Sequence, residues 1–116
     1  MKKEALFEEV RTTTDLKKLE AYFNSPNLFI REAATQNPLL NKEMIEGRYR
    51  DEVEPNVQIG LINHQNSSED VRGYYVSIPT HYRVKLELLS TGKLTEVEQA
   101  SVLENPVVRK LWEEKQ

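Results

Sequence analysis

A segment of 15 residues recurs along the chain at a spacing of 27 positions, and this recurrence constrains the fold more than any other feature. Its three copies read IREAATQNPLLNKEM from Ile30, VQIGLINHQNSSEDV from Val57, and VKLELLSTGKLTEVE from Val84. In each copy, a short apolar stretch is followed by a polar break and then by the start of a second helix. Repeats of this length usually form a stacked array of one supersecondary unit. The sequence therefore predicts an all-α chain, a small right-handed α-α superhelix (solenoid) of about four helical-hairpin repeats with a period of about 27 residues.

The 116-residue chain has the length of one domain, so we expect a single array without a linker. The predicted parts are N-terminal capping helices in residues 1–24, three repeats in residues 25–104, and a C-terminal capping helix in residues 105–116. We expect eight or nine short helices, with breaks near Asn24, Asn37, Glu52, Asn66, Ile78, Thr91 and Asn105. The alternation of Val84, Leu86 and Leu88 also suits a strand, but the matched segments of the other repeats are helical in pattern, so we predict a helix there.

The apolar positions of the repeats predict the core. The residues expected to be largely buried are Ile30, Ala34, Ile59, Ile62, Val84, Leu88 and Val108. Leu28 and Phe29 are assigned to the same broad apolar face as Ile30. In the first break, Asn37 is expected to take a left-handed conformation, and Pro38 to stop the helix.

Two short pieces, IREAATQNP from Ile30 and NPVVRKLW from Asn105, combine an aliphatic-arginine pair near a helix start with an Asn-Pro turn. In these motifs, residues 25–112 resemble the variant leucine-rich repeat, an α-solenoid family related in shape to HEAT repeats. The position after the first aliphatic residue is, copy by copy, Arg31, Gln58, Lys85 and Arg109. His64-Gln65 and Thr91-Gly92 replace the Asn-Pro turn in the second and third copies. The resemblance implies a binding scaffold and supplies no catalytic residues.

The sequence contains no motif of a known catalytic or metal centre. It has no phosphate-binding glycine loop, no nucleophile elbow and no paired-histidine zinc motif. His64 is interpreted as a solvated turn residue or cap and His81 as a surface residue at a helix start, and neither has carboxylates at ligand spacing. Adjacent carboxylates such as Glu69-Asp70 diverge on a helix. We therefore expect no enzymatic activity, no metal and no cofactor.

Charge and composition favour a cytoplasmic protein that does not enter membranes. The net charge of −3 gives no overall attraction to nucleic acid or acidic membranes. Cysteine is absent, which excludes disulfides and thiol chemistry and suits a reducing compartment. The basic start is not followed by an apolar run, so no signal peptide is expected, and no apolar stretch approaches the roughly 20 residues of a membrane span.

Tyrosine and arginine are concentrated in one part of the chain, where four of the five tyrosines and four of the seven arginines lie between residues 48 and 83. The candidate partner-binding residues are Arg48, Tyr49, Arg50, Arg72, Tyr74, Tyr75, Tyr82 and Arg83. At the 27-residue offset, Tyr49 matches Val76, which assigns part of the cluster to the second helices of neighbouring repeats. Tyrosine and arginine are frequent anchors of protein interfaces. The alternative, that the tyrosines are partly core and the arginines pair with nearby carboxylates, stays open.

These observations favour a non-catalytic scaffold, a small regulator or inhibitor that docks another protein on a Tyr/Arg-rich helical face. A partner with an acidic or phosphate-bearing surface would suit the local positive charge. The alternative is a HEAT-like module that binds nucleic-acid backbones, which the acidic balance and the lack of a continuous basic stripe disfavour. An enzyme is the third and least favoured class.

Overall fold

In the computed structural model, which describes residues 2–116 (for Lys2 the backbone alone), every regular element is helical. The α-helices are α1 (Lys2–Thr12), α2 (Leu16–Phe23), α3 (Leu28–Thr35), α4 (Lys42–Glu46), α5 (Pro55–Asn63), α6 (Glu69–Ser77), α7 (Tyr82–Ser90), α8 (Glu96–Val102) and α9 (Pro106–Lys115). A short 3-10 helix, Tyr49–Asp51, follows α4. The all-α prediction is confirmed, including a helix where Val84, Leu86 and Leu88 would also suit a strand.

The helices divide into two units, of which the first ends at Ser67 and the second begins at Ser68. In the first unit, α3 packs against α1, α2 and α5. In the second unit, α7 packs against α6, α8 and α9, and α6 also packs against α8. The division of the chain into capping helices and three repeats within a single domain stays a prediction.

Helix starts recur at 26 or 27 residues, close to the spacing of the sequence repeat, except that Asn105 follows His81 by 24. We call α3, α5, α7 and α9 the first helices, and their N-cap residues are Asn27, Glu54, His81 and Asn105. We call α2, α4, α6 and α8 the second helices, and their N-cap residues are Asp15, Asn41, Ser68 and Thr95. Most of these caps are local, because a side-chain oxygen accepts the N–H of a residue two or three positions further on, as in the capping box of Thr95 and Glu98.

Five of the seven predicted core residues are buried: Ala34, Ile62, Val84, Leu88 and Val108. Ile30 and Ile59 are half-buried instead, so that part of the core prediction was wrong. Ile59 lines a groove beside α3, which explains its partial exposure. Phe29 is 57% exposed and does not share the buried face assigned to it.

Three of the four second-helix segments, those of α2, α4 and α6, each bury two side chains that lie four residues apart. These pairs are Leu19 with Phe23, Ile45 with Tyr49, and Val71 with Tyr75. Successive pairs are 26 residues apart, so Tyr75 is the structural equivalent of Tyr49, one position away from the predicted alignment. No helix among the described residues is long and apolar enough to cross a bilayer.

Candidate partner-binding site

The breaks at Asn37 and His64 are held by buried polar side chains, whereas the break after α7 contains Gly92, which has a positive φ of 68°. Asn37 is 1% exposed, and its amide donates to the carbonyls of Val10 and Thr13 at 2.9 and 3.0 Å. Its own oxygen accepts the N–H of Leu39 at 2.9 Å. The predicted left-handed conformation was wrong, because no non-glycine residue described here has a positive φ.

His64 repeats this arrangement 27 residues later. Its Nε2 lies 2.9 Å from the carbonyl oxygen of Asn37, and its Nδ1 accepts the N–H of Asn66 at 3.0 Å. These partners assign the proton to Nε2. Only 9% of His64 is exposed, so it is a buried helix cap and not a solvated turn residue. His81, in contrast, is exposed at the start of α7, as predicted.

The four polar residues near the starts of the first helices all bind the carbonyl end of the preceding second-helix segment. Arg31 Nη1 donates to the backbone carbonyl of Ser25 at 2.8 Å. Gln58 Nε2 donates to the backbone carbonyl of Glu52 at 2.7 Å, and Arg109 Nε donates to that of Leu103 at 2.9 Å. The Lys85 ammonium donates to the carbonyls of Tyr75, Val76 and Ile78 at 2.6, 3.0 and 2.7 Å. Burial lowers the pKa of Lys85. The residues that carry the family resemblance thus hold helices together.

Arg48, the first predicted site residue, belongs to a partly buried ionic cluster. The enclosed carboxylate of Glu52 accepts Arg31 Nε at 3.0 Å, Arg31 Nη2 at 3.2 Å and Arg48 Nη2 at 3.2 Å. The Arg48 guanidinium also lies 5.9 Å from the ring centroid of Phe23. The alternative of carboxylate pairing therefore holds at Arg48, because a buried carboxylate must be compensated by nearby cations and donors.

The neighbouring Tyr49 and Arg50 contact each other. Tyr49 is only 5% exposed. Arg50 lies at the surface, where its Nε donates to the Tyr49 hydroxyl at 3.2 Å and its guanidinium is 5.6 Å from the ring centroid. Tyr49 is thus a core residue with a polar tip, and it offers a partner little contact area.

The remaining five predicted residues lie in the second unit. Tyr75 is fully buried, with its ring 5.5 Å from that of Tyr74 in an edge-on arrangement. Tyr74 and Arg72 are half-exposed, and Arg83 is exposed. Tyr82 is 41% exposed, with its ring centroid 4.4 Å from that of His81. Among the described residues, Arg72 makes no hydrogen bond or ion pair through its guanidinium.

The eight predicted residues therefore do not form one exposed cluster. Tyr49 and Tyr75 are core residues because each lies one helical turn after a buried aliphatic residue. Arg72 and Tyr74, two positions apart on α6, point about 200° apart around the helix axis. We use the name Tyr/Arg patch as a label for the predicted site residues of the second unit that are exposed or half-exposed, which are Arg72, Tyr74, Tyr82 and Arg83, although Arg72 and Tyr74 lie on different sides of α6.

Grooves on the first unit were not anticipated from the sequence. One of about 240 Å³ lies between α3 and α5, and another of about 180 Å³ lies between α1 and α3. Both are lined by Glu32 and Gln36. The available signal was the series Phe29, Glu32, Ala33 and Gln36, whose i, i+3, i+4, i+7 spacing defines one helix face.

No family model, curated protein or solved structure matches the chain. Within the described residues, no three acidic, histidine or cysteine side chains come together to hold a metal ion. The resemblance to the variant leucine-rich repeat consequently stays a prediction.

Proposed function

We propose that the chain is a non-catalytic protein-binding scaffold, an α-solenoid of about four helical-hairpin repeats of the variant leucine-rich type. The observation that carries the proposal is the repeated use of polar side chains to bind backbone carbonyls between helices. Asn37 and His64, 27 residues apart, each bind a carbonyl of the preceding break, and the four polar residues at the starts of the first helices bind the carbonyls before them. These polar residues serve the packing of one repeat on the next, and such arrays expose extended surfaces suited to binding.

The Tyr/Arg patch is the proposed docking site for an acidic or phosphate-bearing protein surface. Arg72 supports this role, because its five donors have no partner among the described residues. Tyr82 adds an accessible ring with few rotatable bonds, which gives contact area at a low entropic cost. A cytoplasmic location is part of the same proposal, and fractionation of the native host would test it.

The test is affinity capture from the native host with the full chain, followed by measurement of the captured partner's affinity. Arg72→Ala and Tyr82→Ala should each weaken binding by about tenfold or more if they are interface anchors. Matched controls are Lys93→Ala and Lys110→Ala, which remove exposed cations elsewhere in the second unit. Equal affinity of all four variants would reject the patch.

A salt series with random duplex DNA separates this proposal from nucleic-acid binding. We expect no binding at physiological salt. Binding whose affinity falls steeply with salt concentration would show phosphate contacts, and it would replace the protein-binding proposal.

A further inference from the structure

The outward side of α3 in the first unit carries two grooves that share one wall. The groove toward α1 is lined by Phe7, Arg11, Phe29 and Ala33, and the groove toward α5 by Thr35, Asn56, Ile59, Gly60, Asn63 and His64. Glu32 on α3 and Gln36, the C-cap residue one turn further on, line both grooves. The two lie on the same helix face as Phe29 and Ala33.

The groove toward α1 has an apolar side, formed by Phe7, Phe29 and Ala33, and a polar side, formed by Arg11, Glu32 and Gln36. Phe29 is 57% exposed, more than any other phenylalanine, tyrosine or tryptophan among the described residues. Phe7, on the other side of the groove, is half-buried. An exposed ring beside a second ring and a small Ala33 gives a partner an apolar slot with an aromatic wall. A single exposed aromatic ring is ordinary on a protein surface. Here, however, the ring borders a cavity of about 180 Å³ into which a side chain fits.

The uncompensated charge in this surface is negative. The one cation in the two linings is Arg11, and it is paired with Glu8 at 3.1 Å. The carboxylate of Glu32 makes no hydrogen bond or ion pair with the described residues, and the carboxamide of Gln36 makes none either. A carboxylate that is half-buried and unpaired attracts a cation, and a carboxamide can both donate to and accept from a peptide backbone.

We propose that this surface, formed by α1, α3 and α5, binds an extended peptide segment of another protein. The segment carries an apolar side chain for the slot at Phe29 and a lysine or arginine that pairs with Glu32. Phe29 and Glu32 are three residues apart on α3, so their Cβ atoms are about 5–6 Å apart. An extended peptide advances about 3.3 Å per residue, so its two side chains lie within about three residues of each other. This surface lies in the first unit and selects a basic segment, whereas the Tyr/Arg patch lies in the second unit and suits an acidic one.

The experiment selects binders from a displayed library of random 12-residue peptides against the immobilised full chain. We expect the recovered peptides to share an apolar residue with a lysine or arginine within three positions. Fluorescence anisotropy with a labelled recovered peptide then gives its affinity for each variant. Glu32→Gln and Phe29→Ala should each weaken binding by about tenfold or more.

Matched controls remove the same chemistry elsewhere in the first unit. Glu46→Gln neutralises an exposed carboxylate on α4, and Leu39→Ala truncates an apolar side chain that is 43% exposed. Both should leave the affinity unchanged, and far-UV circular dichroism should show that all four variants fold like the parent chain.

Four outcomes would overturn the inference. They are recovery of no peptide, recovery of peptides without basic residues, equal loss of affinity in the control variants, and unchanged binding to Glu32→Gln. Acidic peptides whose binding is lost in Arg72→Ala would instead support the Tyr/Arg patch. The proposals for the two surfaces can therefore be rejected independently of each other.

Discussion

Replacing Gly60 by alanine tests the close approach of α5 to α3. A β-carbon at position 60 would lie 2.1 Å from Thr35 Oγ1, 2.7 Å from Thr35 Cβ and 3.2 Å from Thr35 Cγ2. Thr35 is 5% exposed, and its hydroxyl donates to the Glu32 carbonyl at 2.6 Å. Rotation of the threonine side chain cannot relieve a clash with its own Cβ, so α3 and α5 would have to move apart.

Two opposing free-energy terms set the size of the effect. Alanine is a better helix former than glycine by about 1 kcal/mol in a helix interior. Overpacking of a tight core contact costs about 1–3 kcal/mol. The net of these two terms is about 0–2 kcal/mol. Because the β-carbon would lie only 2.1 Å from Thr35 Oγ1, we expect the upper end, a decrease of about 2 kcal/mol in the free energy of unfolding of Gly60→Ala.

Gly73 in α6 is the matched control, because a β-carbon there would meet only Glu98 Oε2, at 3.6 Å. Gly73→Ala should raise the free energy of unfolding by about 0.5–1 kcal/mol. Urea denaturation followed by circular dichroism at 222 nm measures both variants, and an unchanged m-value shows that the unfolding transition itself is unaltered. In a Thr35→Ala background, Gly60→Ala should cost less, because two of the three close contacts are gone. If Gly60→Ala were as stable as Gly73→Ala, the close approach of α5 to α3 would be wrong.

Four further predictions concern single side chains. Glu52→Gln should lower the free energy of unfolding by about 3 kcal/mol, because it leaves two arginines near a neutral group. The control is Glu54→Gln, because Glu54 is half-exposed and outside the ionic cluster. In the same urea experiment, this control should change the free energy of unfolding by less than about 0.5 kcal/mol. His64→Asn should retain more thermal stability than His64→Leu, since asparagine can both donate and accept as Asn37 does, and equal melting temperatures would contradict the assigned hydrogen bonds. Leu88→Ala should cost about 2–5 kcal/mol because the side chain is fully enclosed, and a loss under about 1 kcal/mol would place it at the surface. The hydrogen bond from the Tyr22 hydroxyl to the Glu9 carboxylate raises the pKa of Tyr22. This hydrogen bond therefore stabilises the fold below pH 10.0, and the stabilisation is lost as the pH rises through the raised pKa. Tyr22→Phe should remove a late step from the absorbance titration of tyrosinate near 295 nm.

Local chemistry in the sequence determined where helices begin and end. Asn27, Asn41 and Thr95 cap helices through bonds to residues two or three positions away, so no distant part of the chain is needed to assign them. The seven predicted breaks coincide with the observed ones. The repeat spacing also marked the position shared by Arg31, Gln58 and Lys85, and the Asn-Pro motif marked Arg109, although neither showed what those side chains bind.

Contacts between distant segments of the chain decided which candidate site residues are buried and which are exposed. In the sequence, Tyr74 and Tyr75 are adjacent tyrosines, but Tyr75, four residues after the buried Val71, is fully buried, whereas Tyr74 is half-exposed. The sequence does not distinguish Arg48 from Arg72 either. In the structure, Arg48 is paired with the enclosed carboxylate of Glu52, which also binds Arg31.

The same reasoning explains His64 and Phe29. A histidine in a polar break usually lies in solvent, and this one is buried because its Nε2 meets a carbonyl 27 residues earlier in the chain. Phe29 has the composition of a core residue, but α1 and α3 leave it at the rim of a groove. Hydrogen bonds between near neighbours can be deduced from residue type and spacing, whereas burial depends on which distant surface covers a side chain. For that reason the sequence determined the helices, and the tertiary structure determined which side chains remain available to a partner.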